Sequence, residues 1–332
     1  MTDLATPPPA VEGTGLPPRR VVVDAPTRPD RIFTGVTTTA GISMFVILGL
    51  VGLFLLLRSR AAFELMGWAF FTTEEWRTDT DPVVIGVLGL LCGTVLVALI
   101  AVTIAIPLGT CAALYITDYA GARSRKLLTN LVDLLAAIPS LLYGIWGFLY
   151  LGEYIVPLSQ FLTDHFGWIP IFATEEDATL TGSMFIAGIV VSLMVLPIIA
   201  SVTREVFAQT PPAEKEAALA LGGTRWGMVR TVVLPFGRGG IIGGSMLGLG
   251  RALGETIAVT LLLPQVPEVT IQILENGGAT ISGFIAGRAG GDDFTVSGLM
   301  AAGLVLFLMT LATNMTASVI IGRSRSGAGV EA

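Results

Sequence analysis

Arg251 and Glu255 are the side chains in this sequence best placed to do chemistry. They sit in the string R-A-L-G-E-T, inside an otherwise apolar and glycine-rich run. If that run spans a bilayer, each ionisable group costs roughly 3 kcal/mol at its centre and is tolerated where it pairs or faces the bundle interior or a wet pathway. The planar fork of an arginine matches the oxygens of a phosphate-like oxyanion. A neighbouring glutamate can accept a proton from a monoprotonated oxyanion, or hold the arginine while the site is empty. On a continuous helix the four-residue spacing puts both on one face, where they can also pair as a salt bridge that only fixes helix register. Ser140 and Tyr143, beside Pro139, are the next candidates for a polar seam, because a proline breaks the helical ladder and frees a carbonyl. Helix packing is the other reading of these two, and Asp133 reads as an interfacial cap.

Other chemistries lack their parts. The only lysines are Lys126 and Lys215, and neither follows the glycine-rich run of a nucleotide phosphate loop. His165 has no metal-spaced partner, and no Ser-His-Asp or H-E-x-x-H grouping occurs. Cys92 and Cys111 are about 28 Å apart on a continuous helix at ~1.5 Å per residue, too far to bond. The expectation is a chain with no catalytic residues, no metal and no cofactor of its own.

A second string has a mechanical rather than a chemical look. Glu216, Ala217 and Ala218 are followed after three residues by Gly222, next to Gly223. After nine intervening residues, counted from Gly222, come Val232, Val233, Leu234 and Pro235. A helix of small residues closed by a glycine turn makes a flat knob that can seat in another protein's groove.

The elements that must position these residues follow from composition: 53% of the residues are hydrophobic and only 13% charged, with 40 glycines, the profile of a polytopic membrane protein. Six segments reach the roughly 20 apolar residues a spanning helix needs: about 36 to 57, 84 to 107, 131 to 152, 182 to 203, 238 to 263 and 297 to 321. Residues 1–35, rich in proline, threonine and charge, read as a disordered tail, residues 36–322 as one six-helix domain, and 323–332 as a short polar end. Of 19 Lys and Arg, most fall in the tail, the 118–130 and 204–238 loops and the C-terminus, which are alternate sides of six spans. The positive-inside bias makes that side cytoplasmic, with both termini inside. The opposite loops hold only Arg58, Arg60, Arg77 and Arg288 against an excess of acids, among them Glu74, Glu75, Glu175, Glu176, Asp177 and Glu275. Such a face does not concentrate an anion from bulk water, so an anionic cargo calls for a separate carrier protein; the other reading is that the acids only keep short loops soluble and untethered to the inner leaflet.

The E-A-A…G…V-x-L-P string resembles the loop by which ABC importer permeases engage their ATPase. That resemblance implies an all-α type I importer permease fold and a cytoplasmic coupling loop at 204–235. Three further stretches narrow it: R-A-L-G-E-T-I-A-V from Arg251, I-P-S-L-L-Y-G-I-W-G from Ile138, and F-F-T-T-E-E-W from Phe70. They are similar to phosphate-specific permeases of the PstC type, although here Trp76 is followed by Arg77 rather than Asn-Pro. The resemblance covers about nine tenths of the chain. It implies that Arg251 and Glu255 serve phosphate translocation, and that Glu216, Ala217, Ala218, Gly222 and Gly223 couple to the ATPase. It also implies a multi-pass subunit of the bacterial plasma (inner) membrane. The partners it implies are a second permease of the PstA type, two PstB-type ATPases that bind the ATP and Mg, and a PstS-type extracytoplasmic phosphate-binding protein. Permeation of another oxyanion such as sulfate or molybdate, or a scaffold or phosphate-sensing role without transport, are the alternatives.

Overall fold

Prolines and glycines decide where the apolar runs of this chain become helices and where they stop. The computed structural model describes residues 27–78, 81–290 and 293–324. The chain divides into two units, residues 1–51 and 52–332. The first long helix, α1 (Arg28–Arg58), runs from one into the other and buries none of its side chains. It starts earlier than the apolar run suggests. The Asp30 carboxylate accepts from the Thr27 backbone N–H at 2.9 Å and from its hydroxyl at 2.6 Å, which closes off the first turn. Residues 28–35, expected in a disordered tail, are therefore helical. Residues 1–26 of that expected tail lie outside the described residues, as do residues 325–332 of the expected C-terminal segment.

In the second unit, short helices α2 (Arg60–Met66) and α3 (Ala69–Thr72) lead to an antiparallel ribbon, β1 (Trp76–Arg77) with β2 (Val84–Ile85), in which Trp76 faces Ile85. Trp76 packs edge-on against Phe284, with ring centroids 4.9 Å apart. Then come α4 (Leu88–Leu114), a π turn at Tyr115–Tyr119, α5 (Ala122–Ala137), α6 (Ser140–Trp146), a second π turn at Gly147–Leu151, α7 (Gly152–Phe166) and α8 (Met184–Ala208). The remainder is α9 (Pro212–Ala220), α10 (Arg225–Met228), a third π turn at Val229–Val233, α11 (Leu234–Leu253), α12 (Ile257–Leu262), α13 (Ile281–Gly287) and α14 (Asp293–Ser324).

Six stretches among the described residues are long and apolar enough to cross a membrane: Arg28–Arg58, Leu88–Tyr119, Ser140–Phe166, Met184–Ala208, Arg225–Leu253 and Asp293–Ile320. Two differ from the sequence expectation for a physical reason. The third does not run through 131–152, because Ile138 and Pro139 are extended, as the steric clash ahead of a proline favours. Residues 122–137 form the separate amphipathic helix α5, and the span is α6 to α7. Asp133 lies on α5, where it pairs with Arg204 at 3.6 Å. The fifth span starts earlier than residue 238 and stops at Leu253 instead of continuing to 263. Gly254 ends α11, and residues 254–256 are unwound before α12.

The main core lies between α4, α8, α11 and α12, with Val97, Ala101, Val190, Met194, Ile199 and Val259 buried in it. Glycines set how closely these helices approach. On α11, Cβ atoms at Gly240, Gly244 and Gly248 would press on Val206, Ile199 and Val195 of α8. The four-residue spacing thus forms a close-packing seam, as small residues do between membrane helices. Gly89 and Gly93 of α4 lie directly against the carbonyls of Pro267 and Ala279, in the loop between α12 and α13. That loop is bound in turn to the 168–183 segment: Asn276 N donates to the Thr179 carbonyl at 2.7 Å, and Asn276 Nδ2 to that of Thr181 at 2.5 Å.

Candidate functional site

The interruption of the fifth span builds the site. Arg251 occupies the last turn of α11, its side chain exposed on this chain. Gly254 then ends the helix, and Glu255 follows in the unwound stretch at 8% exposure. Two contacts fix this irregular backbone. Ser282, in the first turn of α13, donates its hydroxyl to the Glu255 carbonyl at 2.6 Å, and Thr256 Oγ1 donates to the Gly254 carbonyl at 3.1 Å. Freed carbonyls at membrane depth need such partners, since no water supplies them.

Ser140 comes to the same place from the other interrupted span, as the first residue of α6 after Pro139. Ser140, Gly250, Arg251, Gly254, Glu255, Thr256 and Ile257 line a cleft of about 420 Å³. Three of the four pathway candidates are thus brought together. The fourth is placed elsewhere: Tyr143 is buried, and its hydroxyl donates to the Leu135 carbonyl at 3.0 Å. Its ring borders a separate apolar hollow with Ile138, Leu142 and Leu196. Tyr143 braces α5 to α6 across the proline break.

The unwinding also separates Arg251 from Glu255. Ion pairs among the described residues join Arg60 to Glu64, Arg77 to Glu75, Arg204 to Asp133 and Lys215 to Asp118; Arg251 and Glu255 enter none of them. The register-fixing salt bridge that a continuous helix allows is absent, and a cation and an acid both border the cleft. The Asn314 side chain of α14 makes no interhelical hydrogen bond among the described residues, where a polar side chain in an apolar span suggests one; its Oδ1 lies 3.6 Å from where a Cβ on Gly250 would sit.

The second string folds as a capped knob. Glu216, Ala217 and Ala218 lie on α9, which Pro212 opens at its first turn. Gly222 takes φ +82°, and the N–H groups of Gly222 and Gly223 donate to the carbonyls of Leu219 at 3.0 Å and Ala218 at 3.2 Å. This is the paired closure that a left-handed glycine permits at a helix end. Thr224 then caps α10 by accepting from Gly227 N at 3.0 Å. The knob presents Glu216 and also Leu221, 90% exposed, and Trp226, 58% exposed. These last two were not singled out in the sequence, where a leucine or tryptophan among apolar spans carries no signal. A groove of about 580 Å³ lined by Glu214, Ala217, Ala218, Leu221 and Gly223 runs beside it.

Comparison with known proteins gives this architecture its class. Residues 105–324 match the family of binding-protein-dependent transport system inner membrane components. The chain belongs to that family, and is a multi-pass inner-membrane protein with the fold of a type I ABC importer permease. It is 38% identical over 305 residues to the phosphate transport system permease protein PstC 2 of Mycobacterium tuberculosis, a match covering 90% of this chain and 94% of that one. It is 36% identical over 316 residues to phosphate transport system permease protein PstC of Xylella fastidiosa, covering 93% and 95%. The crystal structure of a bacterial ABC transporter involved in the import of the acidic polysaccharide alginate superposes with a TM-score of 0.51 over 88% of this chain and 99% of that one. At 16% identity it shows the shared fold alone.

Proposed function

We propose that this chain is the PstC-type membrane subunit of an ATP-driven phosphate importer and passes inorganic phosphate by alternating access. The observation that carries the reading is an arginine, paired with no carboxylate among the described residues, at an unwound break that borders a cleft with Ser140 and Glu255. Arg251 supplies the fork for the anion's oxygens. Ser140 supplies a hydroxyl that can donate to the anion or accept from it. Glu255, as a carboxylate, accepts from a phosphate O–H but repels an oxyanion that has no proton to give, which favours phosphate over sulfate.

The chain supplies one wall of the path and one docking knob, so the assembly takes a second permease of the PstA type. Two PstB-type ATPases hold the ATP and Mg, and closing on ATP they move the knob at Glu216, Ala217, Ala218, Gly222 and Gly223. A PstS-type binding protein delivers phosphate to the acidic outer face. Hydrolysis belongs to the ATPases and not to this chain.

The test is uptake of labelled phosphate into vesicles that contain the full complex, with sulfate and molybdate as competitors. The expected result is ATP-dependent phosphate uptake that neither competitor suppresses. Glu255→Gln is expected to retain transport but to admit sulfate as a competitor. Uptake of sulfate or molybdate in place of phosphate by the parent complex would overturn the reading.

A further inference from the structure

A partly buried ion pair, whose carboxylate is the buried partner, ties α9 to the second span. Lys215 Nζ, one residue before Glu216 on α9, lies 2.6 Å from Asp118 Oδ1. Asp118 belongs to the π turn that ends α4, and its side chain is only 4% exposed, against 20% for Lys215. Its other oxygen, Oδ2, is buried with no hydrogen-bond partner, so the carboxylate depends on this one lysine. The pairs Arg60–Glu64 and Arg77–Glu75 have side chains more than half exposed, and contacts of that kind contribute little. A buried pair behaves differently, because losing one partner strands an uncompensated charge, so the contact is held as its surroundings move.

The same π turn is gripped from its other side. Arg125 of α5 donates through Nε to the Ile116 carbonyl at 3.0 Å and through Nη2 to the Thr117 carbonyl at 2.7 Å. The far end of α5 carries the Leu135 carbonyl that holds Tyr143, and the chain then turns at Pro139 into Ser140 on the wall of the cleft. Polar contacts therefore join α9 to the π turn that ends α4, that turn to α5, and α5 to α6, whose first residue, Ser140, lines the cleft.

We propose that Lys215 and Asp118 are positioning residues that form a strut, carrying displacement of the docking helix into α4 and, through Arg125 and α5, to Ser140. This rests on the reading of α9 as the ATPase-docking helix. Neither residue touches cargo or nucleotide; they set how much of each ATPase stroke arrives at the path. Lys215→Ala removes the strut without touching the exposed knob residues.

The experiment uses the full complex in vesicles and measures three quantities: retention of the ATPase subunit, ATP hydrolysis, and phosphate taken up per ATP. Lys215→Met and Asp118→Asn are each expected to retain the ATPase subunit and hydrolyse normally, while uptake per ATP falls about tenfold, the scale of typical coupling between two sites. The double variant is expected to be no worse than either single one. Lys215→Arg should keep coupling, and the exchange K215D/D118K should restore a large part of it; a merely structural pair would instead lower assembly or hydrolysis in the single variants and leave uptake per ATP unchanged. If Asp118→Asn does not assemble, the exchange and the two Lys215 variants decide. Unchanged uptake per ATP in Lys215→Met overturns the strut, and so does loss of the ATPase subunit in that variant, which would make Lys215 a docking residue. Leu221→Asp separates the two layers: if it leaves ATPase retention unaltered, the docking reading falls and the strut with it, whereas failure of the strut alone leaves Leu221→Asp disruptive.

Discussion

A guanidinium that borders a cleft and enters no ion pair among the described residues is stabilised best when an anion arrives. That makes Arg251 the side chain whose loss should be felt most. Arg251→Ala is expected to abolish phosphate uptake by the full complex while leaving membrane insertion and assembly intact. Arg251→Lys should retain a minor fraction, since a point charge replaces one of two parallel contacts at most. Wild-type uptake by the alanine variant would remove the site from the path. Arg251, Glu255 and Ser140 stand out in the sequence because charge, or a hydroxyl beside a proline, is an anomaly in an apolar run, and the structure brings the three to one cleft. Ser282 was not: its hydroxyl reaches a carbonyl 27 positions away, and no local pattern announces such a contact. Tyr143 reads like Ser140 in sequence, yet its long side chain turns back to Leu135 instead of lining the cleft.

Among the elements, the interrupted helices form the cleft. Apolar length alone suggested uninterrupted spans at 131–152 and 238–263, and in both places the structure breaks near the site, at Pro139 and at Gly254. Hydropathy averages over such breaks. The proline was visible as a stop signal, but the glycine lay among so many others that nothing marked it. Gly254 takes an ordinary negative φ, and an added Cβ would meet nothing closer than the Gly250 carbonyl at 3.7 Å. Gly254→Ala therefore fits sterically while favouring a continuous helix by about 1 kcal/mol. It is expected to lower uptake several-fold at unchanged protein level, and full activity would show that the break is not maintained by this residue. The knob was more legible, because its glycine spacing is the requirement of the turn that closes it. At Gly222, where φ is +82°, a valine is expected to cost about 1 kcal/mol or more of local stability. The measurable effect is reduced copurification of the ATPase subunit.

For the molecule as a whole, the proposed assembly sets the predictions. This chain alone in vesicles is expected to give no phosphate flux, and the permease pair without the binding protein to give far less than the complete system, because the outer loops are acidic and repel the free anion. Raising ionic strength screens exposed charges and should change delivery by the binding protein more than it changes ATP hydrolysis; equal responses would argue that the outer face takes no part in delivery. The close seating of Gly89 and Gly93 of α4 on the backbone of Pro267 and Ala279 leaves no room for a side chain between helix and loop. Even a methyl group at either position would overlap a backbone carbonyl, so the smallest enlargement there would prise the loop away from the second span.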